Sequence, residues 1–312
     1  MDVQKRRFNR AKLTPYILLL PWFIGIGLFR LYPILISFWY SLHDVSLLGG
    51  EGLQTEWVGL ENFYALLFRR MPAYPYALAP TAEHFWDSVR ATLFYVVLGT
   101  PAVLVSAFFI AFILNFKLKG VNLFRTAYYI PSILGGNVAV AIIWRNLFAS
   151  HGPVNAVLSI FGVEPFSWLT SPTFAPFTLI FLSAWQFGSV MLIFLAALQN
   201  VSPTLYEAAS IDGARKWRQL FSITLPIITP VLLFNTVNVL IRHFQEFNAG
   251  FLITDRGPMR ATEFLNIMIY DFAFRRLQFG MASAITLLLL AAIGVLTMIL
   301  FFSSKYWVHY SD

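Results

Sequence analysis

Six long apolar runs limit what this chain can fold into. They cover residues 14–42, 89–114, 124–148, 174–198, 221–247 and 281–302. A bilayer core about 30 Å thick takes roughly 20 apolar residues in helical form. A helix meets all its backbone hydrogen bonds internally, as lipid demands. The expected fold class is therefore an all-α integral membrane protein of about six transmembrane helices, one domain over 1–312. The longest connection, 43–88, mixes Gly, Pro, acidic and aromatic residues. It is expected to hold a short helix or an amphipathic cap. Charged residues are only 12% of the chain, against about 25% in soluble domains. Pro33, Pro101, Pro131, Gly135, Gly136, Gly188 and Pro230 fall inside the runs. Neighbouring helices or water must satisfy the backbone groups they free.

The first run follows Lys5, Arg6, Arg7, Arg10 and Lys12, as a signal peptide would. It continues past Tyr40 with no small-x-small cleavage site, so a retained membrane helix is expected. With the N-terminus inside, the inner segments hold those five bases, Lys117, Lys119, Arg125, Arg215, Lys216, Arg218 and Lys305. The outer segments hold six: Arg69, Arg70, Arg256, Arg260, Arg275 and Arg276. The excess favours both termini in the cytoplasm. The net charge of +7 thus serves topology and gives no nucleic-acid stripe.

The segment between the fourth and fifth runs, 199–220, differs from a plain linker. It contains Glu207-Ala208-Ala209-Ser210-Ile211-Asp212-Gly213 and leads through Ile223 to Leu225-Pro226. It reads as a short helix capped by Ser202 or Thr204, with Glu207 near its positive end. Ala208 and Ala209 give a smooth face for close approach. Gly213 permits a turn that a side chain hinders, and Pro226 marks the start of the next helix.

Those residues resemble the EAA loop of binding-protein-dependent ABC importers: Glu-Ala-Ala, three residues, Gly, nine residues, Ile-x-Leu-Pro. Glu207, Ala208, Ala209, Gly213, Ile223, Leu225 and Pro226 fill every fixed position. The resemblance implies a coupling helix, including Asp212, docked in a cleft of a separate ATPase subunit. Further stretches resemble the carbohydrate branch, the MalF-like and glycerol-phosphate permease-like proteins. These are Val58 to Phe63, Phe124-Arg125-Thr126 through Pro131, Val138 to Trp144, and then Gly152 and Asn155. Thr254-Asp255-Arg256-Gly257-Pro258 with Thr262 resembles that branch's Gly-Gly-Pro loop, with Arg256 in place of the first Gly. The resemblance spans about Pro15 to Lys305. It implies the MetI/MalF-like permease architecture, a place in the bacterial or archaeal cytoplasmic membrane, and a second permease subunit in a heterodimer. It also implies two ATPase subunits that bind ATP and Mg, and a soluble binding protein that delivers a carbohydrate.

The chain itself shows no catalytic motif. None of its six lysines lies in a Gly-rich phosphate loop, so no ATP or other cofactor site is expected here. There is no cysteine, and His43, His84, His151, His243 and His309 lack metal-ligand spacing. Ionisable groups in a membrane usually face a bundle interior or cavity, so polar residues within the runs are the remaining candidates. In the fifth run Asn235, Asn238 and Arg242 recur at helical spacing, and Glu246 continues the face. Arg242 and Glu246 read either as a structural ion pair or as a polar patch on a solute path. In the fourth run Trp185, Gln186 and Ser189 interrupt the apolar sequence. Trp185 fits either packing or stacking on a sugar ring. By resemblance the substrate path comprises Trp185, Gln186, Ser189, Asn238, Arg242, His243 and Glu246. Arg30, Arg90, Arg145 and Arg242 lie in or at the ends of runs, and an anionic sugar is expected if they line that path. The alternatives are an ion-coupled secondary transporter or channel, which needs a buried acidic relay or paired repeat, and an assembly subunit with no solute path.

Overall fold

The computed structural model describes residues 10–47, 52–68, 82–116 and 119–309. Lys5, Arg6, Arg7, Arg69, Arg70 and Lys117, counted above for topology, lie outside them. The first run folds as α1 (Arg10–Ile26), a π-helical turn (Gly27–Leu31) and α2 (Tyr32–Ser41). The wide turn just precedes Pro33, which has no N–H to give a regular helical bond. A hairpin follows, β1 (His43–Ser46) antiparallel to β2 (Gln54–Trp57), and then α3 (Glu61–Phe68). The 43–88 connection thus adds two short strands to an otherwise helical chain. Asn62 of α3 is buried and donates to the carbonyls of Ser41 (2.9 Å) and His43 (3.0 Å), which fixes the hairpin on α2.

The second run becomes α4 (Ala82–Leu114), which starts seven residues earlier than its hydrophobicity suggests. Its added turns are held by packing: Phe85 is buried with Phe244, Phe272 and Ile285. The third run is sharply bent. It forms α5 (Val121–Leu134) and α6 (Val138–Leu147), bent by 103° across Gly135, Gly136 and Asn137. Gly135 takes φ +51°, a left-handed conformation that L side chains resist. Asn137 then restarts the helix by accepting from the Ala139 N–H at 3.2 Å.

After α7 (Pro153–Ile160), the fourth run is likewise broken, into α8 (Phe174–Trp185) and α9 (Gly188–Gln199) at 45°. Gly188 permits the crossing there, because a Cβ would stand 2.6 Å from the Tyr128 carbonyl oxygen. The chain continues through α10 (Pro203–Ile211), α11 (Lys216–Gln219) and a π-helical turn (Leu220–Thr224) into α12 (Leu225–Phe244). The fifth helix therefore ends before Glu246, short of the expected 247. A final connection containing α13 (Leu265–Tyr270) leads to α14 (Phe279–Trp307). Among the described residues, four helices are long and apolar enough to span a membrane, and counting each bent pair as one span gives six.

Cross-links define two ends. At the hairpin end, Ser46 bridges to Gln278, and α14 packs so closely that a side chain at Gly280 would strike the His43 carbonyl. At the opposite end, the His309 N–H donates to Thr229 Oγ1 at 2.9 Å, and Arg125 donates to the Leu114 carbonyl. The exposed short helix α10 lies at this second end.

Candidate functional site

Three interruptions converge on one cavity of about 330 Å³. The α5–α6 break supplies Ser132, Gly135, Gly136 and Asn137. The α8–α9 break supplies Ser183 and Gln186, and the end of α12 supplies Arg242 through Asn248. A break exposes carbonyls and N–H groups that lipid could not satisfy, so it is stable only where protein or water faces it. Gln186 meets part of that need by donating from Nε2 to the Gly135 carbonyl at 3.2 Å, tying the first two breaks together. The volume falls within the roughly 300–1,000 Å³ of pockets that take small organic ligands. Its amides and hydroxyls suit a solute rich in hydroxyl groups.

Of the seven path residues expected from the sequence, Gln186, Arg242, His243 and Glu246 line this cavity. Trp185, Ser189 and Asn238 do not. The Trp185 indole stands against Trp144, centroids 5.8 Å apart, within an aromatic group that includes Phe181. Asn238 is exposed, and its Nδ2 donates to the Phe234 carbonyl at 2.7 Å. The single polar face expected for the fifth helix divides in two. Asn235 is buried on one stripe with Ile228, Val239 and His243, while Asn238 and Arg242 share an exposed stripe with Phe234. Packing against α4 selects the buried stripe. His243 is held there, its Nδ1 3.0 Å from Thr100 Oγ1 and its ring edge-on to Tyr95.

Arg242 and Glu246 do not form the ion pair that was one reading of their spacing. Glu246 lies beyond the helix and accepts from the Ala249 N–H at 2.8 Å, with the N–H groups of Phe247 and Asn248 turned toward the same carboxylate. Arg242 has no hydrogen bond or close ion pair among the described residues. Gln245, one of the polar residues of the fifth run, also lines the cavity, whereas the sequence reading missed Asn137 and Asn248. Their signal was the Gly135-Gly136-Asn137 sequence, a helix stop followed by an N-cap.

The 199–220 segment has a defined geometry. The Ser202 and Thr204 hydroxyls face each other at 2.7 Å, so neither caps α10, whose first turn is set by Pro203. Its C-terminus is a Schellman turn: Ala214 N–H to Ala209 O at 2.8 Å and Gly213 N–H to Ser210 O at 3.1 Å, with Gly213 at φ +75°. Glu207, Ala208, Asp212 and Gly213 are exposed and Ala209 is half-buried. Ile211 is 86% exposed and Trp217 72%. The inner side is pinned to the base of α12. Tyr206 Oη lies 2.9 Å from Thr224 Oγ1, and buried Gln219 donates to Ser210 Oγ (2.9 Å) and the Ala214 carbonyl (3.1 Å).

At the hairpin end, Arg256 takes φ +75° where the resembled loop has glycine. Its guanidinium makes two bonds to Asp271, at 2.7 and 2.9 Å, which offset that unfavourable backbone. Nearby, buried Glu263 lies 3.0 Å from His84 Nε2. Burial raises the Glu263 carboxyl, but the His84 hydrogen bond and charge, with Arg260 and Arg256, outweigh it and hold it below its ordinary value.

A membrane bundle whose broken helices enclose a polar cavity, joined by one long helix to an exposed helical turn, is built as a transmembrane transport subunit. The chain belongs to the family of binding-protein-dependent transport system inner membrane components, which it matches over residues 82–309. It is 39% identical to the probable ABC transporter permease protein YesP of Bacillus subtilis, over 99% of this chain and 96% of that one. It is 31% identical to the lactose transport system permease protein LacF of Rhizobium radiobacter, over 90% of each chain. It is also 31% identical to the trehalose/maltose transport system permease protein MalF of Thermococcus litoralis, over 91% and 90%. A solved bacterial alginate ABC transporter, in complex with an alginate pentasaccharide-bound periplasmic protein, shares the fold. Its TM-score is 0.75 at 22% identity, covering 96% of this chain and 98% of that one.

Proposed function

We propose that this chain is the permease subunit of an ATP-driven importer for a sugar or oligosaccharide. It pairs with a second permease, docks one of the complex's two ATPase subunits at α10 and receives solute from a binding protein at the hairpin end. ATP and Mg belong to the ATPase subunits; this chain contributes no catalytic group. Both termini and α10 lie on the cytoplasmic side. The surplus of bases in the segments at that end and the contact of His309 with Thr229 support this orientation.

One observation carries the reading: a single rigid path joins α10 to the cavity. Tyr206 and Gln219 fasten α10 to the start of α12, and 20 residues later α12 ends at the cavity wall. At 1.5 Å per residue that helix spans about 30 Å. A displacement of α10 by an ATPase subunit therefore moves Arg242 and His243 relative to the breaks of the other two helices. This is alternating access driven from one end. Glu246 binds local backbone N–H groups, an arrangement that does not favour a proton-relay role and so does not favour the ion-coupled alternative. The carbohydrate reading is supported by relatives named for lactose and trehalose/maltose and by the cavity's amides and hydroxyls.

The test is ATP-dependent sugar uptake by proteoliposomes holding the complete complex, with Glu207→Ala and Gly213→Pro variants. Loss of uptake with the cavity residues intact is expected. Wild-type uptake in both variants, or uptake without ATPase subunits, refutes the reading. The chain has no cysteine, so single cysteines placed at Asp212 and Trp57 report the orientation by impermeant labelling.

A further inference from the structure

A second cavity, about 250 Å³, lies beyond the first along α6. Asn137 and Ala141 face the first, while Arg145 and Phe148 face the second. These positions fall on one helical face, and the two stations lie within about 12 Å of each other along the axis. Ile253 borders both cavities, so the two are neighbours along α6.

Each station carries one arginine with no hydrogen bond or close ion pair among the described residues: Arg145 in the outer, Arg242 in the inner. The other three arginines of the apolar runs line neither cavity. Arg30 lies on the turn between α1 and α2, Arg90 reaches Asp87 at 3.5 Å, and Arg125 donates to the Leu114 carbonyl. Both guanidinium groups are exposed in the single subunit, Arg145 and Arg242 each open at the wall of its cavity. The inner station's carboxylate, Glu246, is engaged by backbone N–H groups. The outer station's carboxylate, Asp255, stands on the 254–258 loop and makes no close pair with Arg145. The Arg242 charge acts on Glu246 as well, but neither arginine is hydrogen-bonded among the described residues, so both can receive an anion, and Arg forks match carboxylates in geometry. Trp168 adds an apolar surface to the outer station, suited to the less polar face of a sugar ring.

Building on the sugar-importer reading, we propose that the solute is an acidic saccharide longer than one ring. It advances along the α6 face, with its carboxylates held first by Arg145 and then by Arg242. The two arginines are specificity-determining residues of the permease and add to whatever selection the binding protein makes.

The test is competitive uptake by proteoliposomes of the complete importer with its binding protein. The vesicles are offered a partial hydrolysate of mixed acidic polysaccharides together with its carboxyl-reduced form, and the internal saccharides are identified by mass spectrometry. The wild type should accumulate acidic over reduced species. Arg145→Gln and Arg242→Gln should each lower that ratio roughly tenfold, as expected for loss of a charge-assisted hydrogen bond. Arg242→Lys, which keeps the charge, should retain most of it. Preferential uptake of reduced species by the wild type, or a ratio unchanged in both Gln variants, overturns the charge assignment and leaves the sugar importer standing. ATP hydrolysis that responds to the binding protein without accumulation of any saccharide overturns the sugar reading itself, and this inference with it.

Discussion

Gly213 offers a graded perturbation of the proposed coupling. Its φ of +75° closes the Schellman turn of α10, and no atom lies within 4 Å of where a Cβ would stand. The site therefore penalises a side chain through backbone conformation alone. Alanine in a left-handed conformation costs about 1–2 kcal/mol, whereas asparagine is tolerated there more readily. Proline is fixed near −65° and has no N–H, so it removes the bond to Ser210 O, 3.1 Å long in the native turn. A cost of 1–2 kcal/mol shifts the turn's population by roughly 5–30-fold. The assay is binding-protein-stimulated ATP hydrolysis by the reconstituted complex, with its assembly checked separately. Activity should rank Gly, then Asn, then Ala, with Pro lowest, and the alanine form should fall roughly 5–30-fold below wild type. Alanine at wild-type activity, or asparagine worse than alanine, would show that the left-handed turn does not carry the coupling.

Asn155 is buried and joins the 149–168 segment through bonds to Ser150 O, Phe166 O, Phe166 N–H and Trp168 Nε1. Asn155→Ala orphans several of these groups at about 1–3 kcal/mol each. Thermal unfolding in detergent should therefore show a loss of about 3 kcal/mol or more, and a loss below about 1 would refute this accounting. Gly188→Ala places a Cβ 2.6 Å from Tyr128 O and 2.8 Å from Ser132 Oγ. It should lower the unfolding temperature and the uptake rate together, at an overpacking cost of about 1–3 kcal/mol; unchanged values would show that α5 and α9 separate freely. Glu263 is held below its ordinary value of 4.5. A carboxyl depressed by folding contributes stability that is complete above the unfolded value and lost as pH falls through the folded one. Acid titration should show this loss below the ordinary value of 4.5 and its absence in Glu263→Gln; identical acid profiles would refute the assignment.

The six runs and the EAA-like segment were legible because each is written in contiguous residues: lengths of apolar sequence, and a glycine where a turn must go left-handed. The breaks were not, although Gly135, Gly136 and Gly188 were visible. Apolar residues continue across Gly135, and composition does not encode direction. What permits the 103° bend is a partner distant in sequence, Gln186, which receives the stranded Gly135 carbonyl. The same limit divided the fifth helix. Spacing placed Asn235, Asn238 and Arg242 within one helical sector, but that sector straddles the boundary set by α4. A Cβ at Gly99 would stand 3.2 Å from the His243 ring, and Thr100 holds the ring nitrogen, so the helix sits with Asn235 buried and Asn238 exposed. A small residue on one helix thus decides which polar residues of another reach the cavity. That information is carried by pairs of positions more than 140 residues apart, 100 with 243, and only packing brings them together.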